Sequence, residues 1–288
     1  MSALKTCTLI AVAASALTLS ACTSGADAQS DASGTSGAPG TISSTGTGTL
    51  PGTPAPTSTR TWTTDAMVFS GDGTWSSEVA SIESLLTANG MTYTDTTSAQ
   101  LDAMSVADLA SFGMLVFPGG EGSTEAESVS AQTHANLREA VQVMGVSYLG
   151  FCAGSFVAVA PAPAAGADVS YGFGVVNGPI LNEWTPTDNP NADYEMTADT
   201  FPDGSTVDIL WYGGPITPDT GVIAKYPTGD PAISEMWSGA GFVVLSGIHP
   251  TASLAMLDAL GVTPATPDTG LAVQLMQAAL NQKPLPTF

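Results

Sequence analysis

Tyr148-Leu149-Gly150-Phe151-Cys152-Ala153-Gly154-Ser155 is the stretch on which the reading of this chain turns. An apolar run, Val143 to Phe151, leads into it, and a run of small residues, Ala153 to Ala160, leads away. That is the pattern of a buried strand passing through a sharp turn into a helix. Gly150 and Gly154, two residues either side of Cys152, leave room for the backbone to fold back and lift the central side chain clear of the sheet. A helix opening at Ala153 would aim unpaired N–H groups at the sulfur and favour its thiolate. The plainer alternative is a structural cysteine packed as a small hydrophobe in a glycine-rich turn.

Upstream, strands and helices alternate. Ala66 to Phe69 reads as a short strand followed by the turn Ser70-Gly71-Asp72-Gly73. Ser76 or Ser77 can cap a helix running to Ala88, with Val79, Ile82, Leu85 and Leu86 at helical spacing and Gly90 as its stop. Met91 to Thr94 predicts a strand and Leu101 to Ala110 a helix. Met114 to Phe117 predicts a buried strand ending in Pro118-Gly119-Gly120-Glu121-Gly122. Ala131 to Val143 reads as a helix, and Ser147 to Phe151 as the strand feeding Cys152. This alternation predicts an α/β three-layer sandwich around a mostly parallel central sheet. Ligands in such folds bind at the carboxyl ends of strands, where both Pro118-Gly119-Gly120 and Cys152 fall.

Downstream, Tyr171 to Val176, Thr206 to Trp211, Gly221 to Tyr226, Ala232 to Trp237 and Gly241 to Ser246 are short strand candidates. Ser253 to Leu260 and Leu271 to Asn281 are the closing helices. His249 follows the last of these strands and precedes Pro250, another strand-end position, so it is the favoured base for Cys152. His134 opens the helix before the nucleophile strand and is expected at the surface.

The first residues carry a different signal. Lys5 is the single charge in residues 1–22, Leu9 to Leu19 is apolar, and Leu19-Ser20-Ala21-Cys22 closes the segment. The apolar core is too short to span a bilayer, so residues 1–21 read as a secretory signal. The ending resembles the lipobox of bacterial lipoproteins, which implies cleavage before Cys22 and lipidation of that residue. Residues 22–61, made of Gly, Ser, Thr, Pro and Ala, cannot bury a core and read as a flexible linker. Residues 62–288 suffice for one domain. The expected location is extracytoplasmic, lipid-anchored to a bacterial membrane. Of three cysteines, Cys7 leaves with the signal and Cys22 carries lipid, leaving Cys152 as the lone thiol of the mature chain.

Composition narrows the function further. The net charge is −21, with five Lys and Arg against 26 Asp and Glu. Without a basic patch nothing neutralises phosphates, which argues against nucleic-acid binding and against charge-driven binding to anionic membranes. His134 and His249 lack Cys or His neighbours at ligand spacing, so no metal site is read. No cofactor is called for.

Five stretches taken in order resemble the class I glutamine amidotransferase-like superfamily, and within it the domain at the N-terminus of eukaryotic biotin–protein ligases. They are Val116 to Gly120, Tyr148 to Gly154, Trp211 to Pro215, Val222 to Pro227 and Val244 to Pro250. The resemblance implies Cys152 as nucleophile, His249 as its base, and the backbone N–H groups of Gly120 and Ala153 as an oxyanion hole. It implies a pocket from Pro118, Gly119, Glu121, Tyr212, Gly213 and Gly214. One departure matters: amidotransferases carry a Glu two residues after the His, and here that position is Thr251. A hydroxyl can hold a ring but does not offset imidazolium charge, a deficit of about 2 kcal/mol on the scale of hydrogen bonds to charged groups. Glu121 or Glu183 could supply the missing carboxylate. No stretch resembles the Gly-Arg-Gly-Arg loop of the biotin-ligase catalytic domain, so biotin ligation is excluded on the residues present.

Two readings follow. In the first, the protein is a Cys-His hydrolase or acyl-transfer enzyme acting on a small amide or ester. In the second, the same pocket holds a small ligand without turning it over; the missing Glu and an aromatic wall at Trp211-Tyr212 favour this. Redox sensing through an exposed thiolate at Cys152 ranks below both.

Overall fold

The computed structural model describes residues 60–262 and 268–288. The signal segment, Cys22 and the linker up to residue 59 lie outside the described residues. No helix among those described is long and apolar enough to cross a membrane.

In chain order the elements are β1 Thr64–Phe69, α1 Ser76–Ala88, β2 Tyr93–Thr96, α2 Ser98–Asp102, α3 Val106–Leu109 and β3 Phe112–Phe117. Next come α4 Gly122–Glu127, α5 Ala131–Gln142, β4 Ser147–Phe151, α6 Ala153–Ala158, β5 Val159–Ala160 and β6 Val176–Asn177. The remainder are β7 Glu195–Thr200, β8 Thr206–Trp211, β9 Val222–Lys225, β10 Pro231–Ser238, β11 Gly241–Ser246, α7 Leu254–Leu260 and α8 Thr269–Asn281.

A nine-stranded sheet runs in the order β2-β1-β3-β4-β11-β10-β9-β7-β8. From β2 to β11 every pairing is parallel; from β11 outward to β8 every pairing is antiparallel. The sheet is therefore mixed, its parallel half carrying the βα units read from the sequence. Strands β3, β4 and β11 are buried along their whole length, as parallel strands covered on both faces must be.

Alternate residues of these strands feed two separate cores. Val68, Met114, Val116, Leu149 and Val244 pack with α1 and α8 on one face. Met67, Leu115, Phe117, Tyr148 and Val243 pack with α2, α3, α5 and α6 on the other. A smaller cluster of Leu210, Ala252, Met256 and Leu257 seats α7.

Several local expectations shift. The helix predicted over Leu101 to Ala110 is two, because Thr97 with Gln100 and Ser105 with Asp108 each form a capping box that starts a new one. Strand β2 sits two residues later than predicted. The strand expected over Tyr171 to Val176 shrinks to β6, since Gly172 and Gly174 both take positive φ and interrupt extension. Strand β7, with Thr197 and Asp199 turned inward, escaped prediction altogether. Helix α1 begins at Ser76, but its N-cap is Trp75, which makes no side-chain capping bond. Arg60, assigned to the linker by composition, donates to the carbonyls of Gly145, Ala110 and Phe112 and so belongs to the packed domain.

Candidate active site

The register of the parallel strands brings three loop openings together. Val116 aligns with Val68 and with Leu149, and Ser246 with Phe151, so β1, β3, β4 and β11 all end at one edge. Pro118, Cys152 and Gly247 leave the sheet side by side.

Cys152 sits at φ +46° and ψ −104°, one of two described non-glycine residues with positive φ. Such backbone strain is held only when the surroundings over-determine it. Here the Cys152 N–H donates to Ser246 O at 2.7 Å. Ser155 Oγ bonds Gly150 O at 2.8 Å and both backbone atoms of Ser246 at 2.9 Å. Gly154 N donates to Pro118 O at 3.0 Å. A Cβ on Gly154 would strike the Phe117 carbonyl, which is the close approach that demands glycine there. The Gly-x-Cys-x-Gly turn is thus the strand-to-helix elbow that the spacing called for, although α6 is short.

His249 lies beside this elbow, 1 % exposed. Its own N–H is tied to Leu210 O at 2.7 Å. The ring Nδ1 is 3.0 Å from Glu78 Oε1, and because a carboxylate only accepts, Nδ1 carries the proton. Nε2 is buried and makes no hydrogen bond among the described residues. Burial alone would lower the imidazole pKa, but the charges of Glu78 and then Cys152 outweigh it and raise it well above the ordinary histidine value. The Cys152 sulfur is therefore close enough to act on the ring electrostatically.

Glu78 is the carboxylate that holds His249, and the sequence reading missed it. It is fully buried on the core face of α1. Gly119 N donates to its Oε2 at 2.8 Å, and Thr251 Oγ1 donates to Oε1. Burial pushes the Glu78 carboxyl upward, yet the His249 charge and the bonds from His249, Thr251 and Gly119 outweigh it and hold its pKa below the usual value. Two backbone bonds lock the geometry: Trp75 N donates to Gly119 O at 2.9 Å and Glu121 N to Gly73 O at 2.8 Å. They fasten the turn before α1 to the loop after β3. A Cβ on Gly119 would collide with both Glu78 Oε2 and the His249 ring and press on Cys152 Cβ, so these side chains converge on a single backbone point.

These contacts correct three expectations. Thr251 does not hold the imidazole; it positions the carboxylate that does. Glu121 does not reach His249, because its oxygens accept from Ser123 and Thr124 at the start of α4, which drops its pKa to about 2. Glu183 stays exposed on the far wall of the cavity. One signal for Glu78 was present in the sequence: it lies four residues before Ile82, on the apolar stripe of an amphipathic helix, where an acid needs a partner.

A cavity of about 290 Å3 opens over Cys152. Gly120, Glu121, Ala153, Tyr212 and Gly213 are among its lining. The N–H groups of Gly120 and Ala153 have no acceptor among the described residues, so both are free to serve an oxyanion. Pro118, Gly119 and Gly214 do not line it. Pro118 and Gly119 are buried beneath the loop, and Gly214 packs on the Gly247 backbone while its carbonyl accepts from Trp184 N and Trp211 Nε1. Trp211 is likewise core, edge-on to Trp184. The aromatic wall comes instead from Trp75, Phe156, Tyr171 and Tyr212. Trp75 stacks on His249 at 5.4 Å and meets Tyr212 at 4.6 Å. His134, expected at the surface, is buried; its ring bridges Asp168 and Ala126 O and takes no part in the site.

Residues 64–162, which contain the β1–α6 units and the Cys152 elbow, match the family model described as the N-terminal domain of biotin-protein ligase. Over these residues the chain is similar to that family. No curated protein matches the chain. Among solved structures it is similar to a glutamine amidotransferase at 15 % identity and TM-score 0.48, covering 73 % of this chain and 98 % of that one. It also aligns with an exo-β-1,4-mannosidase from Opitutaceae bacterium strain TAV5 at 14 % identity and TM-score 0.42, over 76 % of this chain and 36 % of that one. A β-galactosidase from Halorubrum lacusprofundi aligns at 13 % identity and TM-score 0.40, over 80 % of this chain and 32 % of its own.

Proposed function

We propose that this biotin–protein ligase N-terminal-type domain is a cysteine-dependent hydrolase or acyl-transfer enzyme for a small amide or ester, exported and lipid-anchored through Cys22. One observation carries the catalytic reading: His249 is held by Glu78 through Nδ1 while its buried Nε2 is left without a partner beside Cys152. A merely structural histidine would have both nitrogens satisfied. The sulfur attacks the carbonyl carbon with its proton already held at Nε2 of the imidazolium, and the oxyanion is taken up by the N–H groups of Gly120 and Ala153. The imidazolium, offset by Glu78, then gives its proton to the leaving nitrogen or oxygen, and a thioester remains on Cys152. Water or another acceptor attacks that thioester with His249 as base, which restores the thiol.

The second reading, a binding module that does not turn its ligand over, rests on a different contact. The Cys152 thiol is 3 % exposed and donates to Tyr212 O at 3.4 Å, a resting bond that must break before attack. The pH dependence of iodoacetamide alkylation at Cys152, in wild type and His249→Ala, separates the two. An apparent pKa well below about 8.5 that rises in the variant supports the enzyme. A slow reaction insensitive to the variant supports the binding module.

The export and anchoring part rests on residues 1–22 alone. Palmitate labelling of the expressed protein, lost in Cys22→Ala, is its test.

A further inference from the structure

The cavity that holds Cys152 has walls of two kinds. Trp75, Phe156, Tyr171 and Tyr212 present aromatic surface, and Glu121 and Glu183 present carboxylates. No Lys or Arg among the described residues lines it. Three of the four described cations are engaged elsewhere: Arg60 and Arg138 bond backbone carbonyls, and Lys225 lies 4.3 Å over the Phe288 ring; the fourth, Lys283, follows α8 and does not line the cavity. The carboxylate of Glu121 is fixed in place by the first turn of α4, so it does not swing away to solvent.

A substrate bearing its own carboxylate would meet two negative side chains there with no described cationic side chain beside them. An ammonium group would meet two carboxylates together with aromatic faces, the surroundings that attract a cation. We infer that the site takes a cationic substrate: an amide or ester with a primary or quaternary ammonium near the scissile carbonyl and no free carboxylate beside it. This inference rests on the proposed nucleophilic role of Cys152 and extends it to substrate class.

The test uses three methanethiosulfonates that differ in charge: the trimethylammonium-ethyl, the sulfonato-ethyl and the neutral methyl reagent. Each transfers its thiol half to Cys152 as a mixed disulfide and releases methanesulfinate, and the product is read at Cys152 by mass spectrometry on the full chain. The cationic reagent is expected to outrun the anionic one by about tenfold or more at low salt, in line with field focusing in a charged cleft. Glu183→Gln should cut that ratio severalfold. Asp203→Asn, which removes an exposed charge between β7 and β8, should leave it unchanged and so separates the cavity's field from the net charge of the molecule. Equal rates for the two charged reagents, or a ratio that Glu183→Gln does not move, would overturn the charge selectivity while leaving the nucleophile intact. Failure of all three reagents at Cys152 would instead overturn the nucleophilic role, and this inference with it.

Discussion

Glu78 Oε1 and His249 Nδ1 lie 3.0 Å apart across 171 positions of sequence, joining the first helix to the loop after the last strand. The carboxylate expected two residues beyond the histidine, where Thr251 stands, is thus delivered from a helix near the start of the domain. The Thr at that position keeps a task, donating its hydroxyl to the replacement.

Glu78→Gln is therefore expected to impair Cys152 more than its conservative shape implies. The amide keeps the volume but removes the charge that raises the His249 pKa. Loss of the orienting carboxylate from such a triad costs about 10⁴-fold in turnover in the best-studied case. Once a substrate is known, kcat/KM checks this; until then, alkylation of Cys152 at neutral pH should slow by about tenfold for each pKa unit that His249 falls. Thr251→Val should show a smaller effect in the same direction.

Gly119→Ala tests the convergence point. The added methyl has no free space between Glu78, His249 and Cys152, and overpacking of this sort costs about 1–3 kcal/mol. Chemical denaturation should show that loss. The Glu78–His249 bond should open as well, seen as a downfield His249 proton signal in wild type that is missing from the variant.

The strained elbow makes an opposite prediction. Cys152→Gly removes the Cβ from a residue at φ +46°, and relief of such strain is worth about 1–3 kcal/mol. The variant should be inactive yet melt no lower than wild type, and higher than Cys152→Ala. A variant that melts below Cys152→Ala would show the backbone there to be unstrained.

A pH-dependent stability should trace to Asp199. Burial first, then the nearby Asp208, raises its carboxyl to about 8, against a lowering bond from Thr197. Its folded pKa thus exceeds the unfolded one, so the native state binds the extra proton. Stability is fully present at acid pH, falls as pH rises from about 4 toward 8, and levels off beyond. Asp199→Asn should flatten that slope, with Tm raised relative to wild type at pH 8 and little changed at pH 4. Equal slopes in thermal melts across this range would refute the assignment.

How much of this was legible differs from residue to residue. The Cys152 elbow and the His249 position followed from glycine spacing and strand ends, because backbone geometry constrains those choices locally. Glu121 and Glu183 were plausible partners for the histidine since both stand near cavity-forming motifs, yet capping of α4 occupies the first and exposure removes the second. His134 looked like a surface residue from its polar neighbours but is buried against Asp168 and Ala126. Trp75 and Tyr171 carry no local pattern that separates a cavity wall from core.

By itself, then, the sequence determined the alternation of strands and helices, the sharp turn at Cys152 and the absence of basic surface, all of which are short-range or compositional properties. Tertiary structure decided which carboxylate serves His249, which aromatic rings face the cavity and which way the antiparallel half of the sheet extends. Those depend on parallel register and on the two bonds that fasten the α1 turn to the Gly119 loop. Such contacts join residues far apart in the chain, and their energies come from burial and directional hydrogen bonds that exist only once both partners are in place.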